Sequence, residues 1–254
     1  MASVDLRPRS PSEIVDAAFQ ILRAHYPQFV MCSAIANFPW LVVRLFIAAD
    51  PAIVSSIGVG SSFVTVVGIA LVFALMSAVL VVVASQAYLG DPVDVGVAVR
   101  AAVSRLGAVM MGAVIKYTCM VVGLLLFLVG AFYFAARFFA VTPAIVLEDA
   151  ALRQAFSRSS FLSERRKWHV LRTLGLVVLI YWVIGLGIGV AAFVIGNLVV
   201  QAIITSIYTI LVYPVIAITE ALLYYDARIK SEGLDIQLMA GALEGPATRE
   251  PAAG

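Results

Sequence analysis

The sequence is poor in charge and in the residues that chemistry prefers. Asp, Glu, Lys and Arg make up 13% of its 254 residues, and there are only two histidines and two cysteines. The usual charged share is roughly 25%. Two cysteines make no disulfide scaffold, and Cys32 and Cys119 both lie in apolar runs, where they read as small buried hydrophobes. A net charge of +2 is too small and too dispersed for a nucleic-acid partner. What fills the space is apolar: 63% of the chain, with a mean hydropathy of +1.04. That excludes a disordered chain. It also excludes an ordinary soluble domain, because a core of this size could not hide so much apolar surface from water. Lipid must be the solvent for much of it. Arginine outnumbers lysine 14 to 3, which suits a GC-rich bacterial genome. No cleavable signal peptide is expected, since Asp5, Arg7, Arg9 and Glu13 precede any long apolar run.

A bilayer core of ~30 Å needs about 20 helical residues. Six segments qualify: 28–49, 63–89, 107–129, 131–147, 169–195 and 198–225. Gly196-Asn197 marks the turn between the last two. Residues 107–147 read either as two spans parted at Gly130 or as one bent unit. Three cations, Arg44, Lys116 and Arg137, lie inside apolar runs, and the other 14 all fall on one side of a six-span arrangement. The positive-inside bias then puts both termini in the cytoplasm of a bacterial plasma (inner) membrane.

Three short segments between spans have a helical apolar stripe. The first opens with the capping box Ser10-Pro11-Ser12-Glu13 and lines up Ile14, Ala18 and Ile21. The second opens at Asp91-Pro92-Val93-Asp94 and lines up Val95, Val99, Ala102 and Leu106. The third follows Glu148-Asp149 and lines up Leu152, Ala155, Phe156 and Ser159. They read as helices lying on an anionic leaflet or as caps packed on the bundle. The second and third share the pattern Ala-[Val/Leu]-Arg-x-Ala-[Val/Phe]-Ser-Arg, at Ala98–Arg105 and Ala151–Arg158. The expected fold is an all-α integral membrane protein: six transmembrane helices as three hairpins, each preceded by a cytoplasmic interfacial amphipathic helix. Residues 1–27 would be the cytoplasmic N-terminus, 28–230 the membrane domain and 231–254 a disordered cytoplasmic tail.

Three stretches resemble a known family. Leu6–Phe19, Pro143–Glu148 with Ala151, Leu152 and Ser157, and Ala221–Gly233 are similar to the opening, the central motif and the C-terminal signature of bacterial glycerophosphoryl diester phosphodiesterase membrane-domain proteins. The resemblance implies a stand-alone membrane domain without the soluble catalytic domain, and it implies no catalytic residues.

Charges inside a membrane are the default site candidates. Lys116, Arg137 and Glu220 are the first set: Glu220 should pair with one or both cations, or the excess positive charge should hold an anion such as a lipid phosphate. Arg44 lies about two turns from the end of its span, within snorkelling reach of the far interface. Glu148 precedes a helix start, where a carboxylate caps the dipole or joins a binding site. Asp226 and Arg228 read as interface anchors, Pro214 as a kink in the last span, and Gly185, Gly187 and Gly189 as a packing face. His25 and His169 have no metal-ligand companions, Gly58–Ser62 resembles a serine elbow with no histidine to serve it, and no phosphate loop or dinucleotide motif occurs. No enzyme, cofactor or metal is expected. The expected role is a scaffold or accessory subunit that works with membrane lipids, with partner proteins or with copies of itself. The alternative is a small transporter or flippase-like protein for an anionic or lipid substrate.

Overall fold

A computed structural model describes residues 10–50, 59–126, 128–164 and 166–233, and every regular element among them is an α-helix. The tail from residue 234, most of the loop after Asp50 with Gly58, and residues 6–9 of the first motif lie outside the described residues. The helices are α1 (Pro11–Ala24), α2 (Tyr26–Ala49), α3 (Val59–Leu89), α4 (Val95–Ser104), α5 (Leu106–Leu126), α6 (Leu128–Arg137), α7 (Val141–Leu147), α8 (Leu152–Ser163), α9 (Lys167–Val194), α10 (Leu198–Val212) and α11 (Pro214–Glu232). Six stretches are long and apolar enough to cross a bilayer, so the chain is a multi-pass membrane protein.

The irregularities have local causes. Gly123 and Gly130 bring the α5 and α6 backbones together at the turn, where a Cβ on Gly123 would lie 2.5 Å from the Gly130 carbonyl carbon. The 107–147 region is therefore a tight pair of helices, not one bent unit. The second of the pair is itself broken. Pro143 has no N–H and its ring crowds the carbonyl four residues back, and the helix opens at Phe138–Ala140 between α6 and α7. Ser159 of α8, fully buried, satisfies the opened backbone: it donates to the Arg137 carbonyl (2.8 Å) and accepts from Ala140 N–H (3.0 Å). Pro214 interrupts the last span at Tyr213, separating α10 from α11, and α11 runs on to Glu232, beyond the expected end at Tyr225. Gly196, at φ 71°, makes the α9–α10 turn, and Asn197 caps α10 by accepting from Val199 and Val200 N–H.

The three short helices stand where their start signals put them. Ser10 and Glu13 form the reciprocal capping box of α1, and the Asp94 carboxylate caps α4. The buried face of α1 is Ile14, Val15, Ala18 and Leu22, packed on α9 and α11, with the expected Ile21 half-buried against the same core. In α4 the buried residues are Ala98 and Ala102, against α3; in α8 they are Ala155, Ser159, Leu162 and Ser163, against α7 and α11. At the centre of the bundle lies α11, which touches α1, α3, α8 and α9.

Candidate functional site

The intramembrane carboxylate sits on α11, facing α3 and α5. Glu220 is 6% exposed; Lys116 of α5 approaches its Oε1 at 3.4 Å, and Ser77 of α3 donates to its Oε2 at 2.8 Å. Both oxygens are thus engaged, as a carboxylate removed from water requires. Beside the pair is a cavity of about 340 Å³ lined by Phe73, Tyr117, Thr142, Tyr213 and largely apolar neighbours.

Arg137 is not part of this group, contrary to the expectation that it shares Glu220. The break after α6 makes Arg137 the last residue of its helix, turned toward α8. Its Nε donates to Ser160 Oγ (3.2 Å) and its Nη1 to Tyr133 OH (2.7 Å). The ring of Tyr133 also carries the Lys167 ammonium 4.3 Å from its centroid, a cation–π contact. The Arg44 guanidinium, too, has a partner of its own. Its Nη1 donates to Thr205 Oγ1 at 2.8 Å, within a separate cavity of about 660 Å³ between α2, α3 and α10.

The densest polar group surrounds Glu148, at the α7–α8 joint. Arg158 of α8 reaches both Glu148 oxygens, from Nε (2.9 Å to Oε2) and Nη2 (2.8 Å to Oε1). Tyr224 OH of α11 donates to Oε1 at 2.5 Å, and Arg228 stands 3.6 Å from the same oxygen. Glu232 closes the ring, bonded by Arg158 Nη1 and Nη2 and by Arg228 Nε. Burial pushes the Glu148 carboxyl up, but the hydrogen bonds from Arg158 and Tyr224 outweigh it and hold the group below the usual carboxylate range. The same bonds to Glu148 and Glu232 raise the Arg158 guanidinium above its ordinary value. Two carboxylates and two guanidiniums neutralise one another, so the group locks α7, α8 and α11 together.

Glu148 has a neighbour in the same role. Asp149 takes a left-handed conformation (φ 55°) that ends α7, with Ala150 N–H reaching back to the Ala144 carbonyl, and its carboxylate pairs with Arg105 at 2.7 Å. Arg105 and Arg158 are equivalent positions of the repeated pattern, and they take the two adjacent carboxylates of one joint.

Residues 110–229 match the family described as the membrane domain of glycerophosphoryl diester phosphodiesterase. The match spans just under half of the chain and takes in Lys116, Arg137, Glu148, Arg158, Glu220, Tyr224 and Arg228, but neither Arg44 nor Glu232. No curated protein and no solved structure matches the chain. Within the matched segment the central and C-terminal motifs, far apart in sequence, meet physically at the Glu148–Tyr224 hydrogen bond.

Sequence reasoning missed Arg158, Tyr224 and Arg228 as partners of Glu148, Glu232 as the second carboxylate of that group, and Ser77 as a partner of Glu220. The i,i+4 spacings Tyr224/Arg228 and Arg228/Glu232 were the available signal for one polar face on α11. Asp226, taken as an anchor, is buried and ion-paired with Lys230 at 2.6 Å. Among the described residues no cluster of His, Cys, Asp and Glu could hold a metal.

Proposed function

We propose that this chain is a non-catalytic scaffold or accessory subunit of a bacterial plasma membrane, working with lipids, partner proteins or its own copies. It is arranged as three hairpins, each preceded by a helix at the cytoplasmic interface, with both termini cytoplasmic. The observation that carries this reading is that the strongest polar groups hold helices to one another. Lys116, Ser77 and Glu220 join α5, α3 and α11, and Glu148, Arg158, Tyr224, Arg228 and Glu232 join α7, α8 and α11. Groups spent on mutual satisfaction are poor general acids, bases or nucleophiles, and a transport path needs groups free to exchange partners.

The second reading, a flippase-like transporter of an anionic lipid, is favoured by one feature. The Arg44 and Lys116 cavities lie in tandem along the last span, and Phe73 lines both. The Phe73 and Tyr213 rings meet there at 4.9 Å, at the break before Pro214. Proteoliposomes carrying fluorescent phosphatidylglycerol separate the two readings. The scaffold reading expects dithionite to quench only the outer-leaflet label, as in protein-free vesicles. Protein-dependent quenching of the inner label, abolished by Lys116→Ala, overturns it in favour of transport.

A further inference from the structure

The Arg44 cavity holds polar groups that the protein leaves unused. Thr205 donates its own proton to the Gln201 carbonyl at 2.7 Å, so its lone pair is what receives Arg44 Nη1. That single bond orients the guanidinium and leaves its other donors over. Among the described residues no carboxylate pairs with Arg44, whereas Lys116 has Glu220. Asn37 Oδ1 and Ser206 Oγ, in residues 3% and 2% exposed, line the same cavity and have no hydrogen-bond partner among the described residues. Buried atoms of this kind each carry a desolvation cost unless something satisfies them. Thr205 lies seven residues inside α10, roughly 10 Å along the axis from its first turn. The remaining wall adds Gln201 and Thr209 to hydrocarbon and aromatic groups, among them Trp40, Ile69 and Leu198, and the last two are exposed.

We propose that this cavity binds the anionic headgroup of a membrane amphiphile, with the anion on Arg44, headgroup hydroxyls on Asn37 and Ser206, and the chain leaving along Trp40 and Leu198. A planar guanidinium with free donors suits a phosphate or a carboxylate equally. A volume of about 660 Å³ takes a headgroup and the first part of a chain, not a whole lipid. A neutral or zwitterionic head would leave the arginine without a counter-charge or bring a second cation to it. The inference rests on the lipid-working reading above and names the lipid chemistry.

The test is native mass spectrometry of the full chain in detergent doped with dioleoylphosphatidylglycerol, dioleoylphosphatidylcholine or palmitate. The wild type should retain one phosphatidylglycerol or one palmitate, whichever source is the true one, and no phosphatidylcholine. Arg44→Gln should weaken retention about ten-fold, the loss expected for a hydrogen bond to a charged group, and Arg44→Lys should restore part of it. Lys116→Met should retain the adduct in full. Gly68→Ala provides a variant with the arginine intact: its Cβ would stand 2.3 Å from the Trp40 ring, so the ring must move and retention must fall. Equal retention by wild type, Arg44→Gln and Gly68→Ala overturns the site, as does equal retention of phosphatidylcholine. Such a result leaves the scaffold reading standing. Protein-dependent flipping sinks that reading and leaves the Arg44 adduct intact.

Discussion

Helices α9 and α11 are both spans of the same bundle, and the more apolar of the two is the less buried. Of 28 residues in α9, four are buried; of 19 in α11, fourteen are. The outside of α9 carries Leu179, Trp182, Val183, Leu186 and Phe193, all largely exposed, while α11 carries Glu220, Tyr224, Tyr225, Asp226 and Arg228 inward or half-inward. In water the assignment would be reversed. In a bilayer the lipid tails accept leucine as readily as another helix does, so apolarity gives no reason to go inside. Polar groups supply that reason, because a carboxylate or phenol facing hydrocarbon has no partner at all. The centre of this bundle is therefore chosen by its hydrogen bonds.

The sharpest test removes the charge at the middle of α11. Glu220→Gln leaves the Lys116 ammonium half-buried without its counter-charge, and breaking one member of such a pair costs ~3–5 kcal/mol. Lys116→Met with Glu220→Gln removes both charges and should recover much of that loss. Arg137→Met with Glu220→Gln should add simply, since Arg137 is held by Ser160 and Tyr133. Melting of the purified chain in detergent measures both cycles. An additive Lys116–Glu220 cycle would show that the pair does not set the position of α11.

The next test acts through pH. The folded-state value of Glu148 is depressed, so its contribution is fully present above the unfolded carboxylate range and is lost as pH falls through the lower folded value. The melting temperature should fall steeply below about pH 4, the usual carboxylate range. Glu148→Gln should melt lower at neutral pH, by roughly 2–3 kcal/mol for the lost charged hydrogen bonds, and should flatten that acid limb. An unchanged acid limb in the variant would move the dependence to another carboxylate.

How much of this was legible beforehand depends on the length scale of the cause. The spans follow from runs of apolar residues, and the starts of α1 and α4 follow from Ser10–Glu13 and Asp94, because these are properties of neighbours in sequence. Lys116 with Glu220 was one of two pairings that charge balance allowed. The exclusion of Arg137 required the break at Phe138–Ala140, which depends on Pro143 and on Ser159 arriving from another helix to satisfy the opened backbone. Glu148 was legible as a residue at a helix joint. Its partners were not, because Tyr224 lies 76 positions away and nothing local to either residue points to the other.

A smaller effect probes α11 by a neutral bond. Tyr225 OH and Ser85 Oγ lie 2.5 Å apart between α11 and α3, both buried. Tyr225→Phe removes one partner and keeps the ring packed against Tyr88, at 5.1 Å between centroids. The expected cost is about 1 kcal/mol, with Ser85 left to bond its own helix backbone. Thermal melting again reads it, and a loss as large as that of Glu220→Gln would mean that charge is not what distinguishes the interior of this bundle.

The smallest effect is expected on α9, and it is the one that could reverse the comparison. Leu186→Ala and Phe193→Ala remove large side chains that are 68% and 75% exposed. If lipid covers them, the folded and unfolded chains both keep those groups in hydrocarbon, and the change should stay within about 0.5 kcal/mol. Gly187 and Gly189 have open space in front of them on the same helix, so a second helix could approach closely there. Were α9 covered by a partner or by another copy of the chain, Phe193→Ala would lower the melting temperature much as an interior change does, and Gly187→Leu would do so as well by holding the partner off. The loss would also depend on protein concentration, because a subunit contact is stabilised by mass action and a lipid contact is not. Melting curves of both variants at two protein concentrations decide it. Concentration-independent, near-neutral changes leave α9 facing lipid, and a concentration-dependent loss identifies it as a surface through which the chain holds a partner.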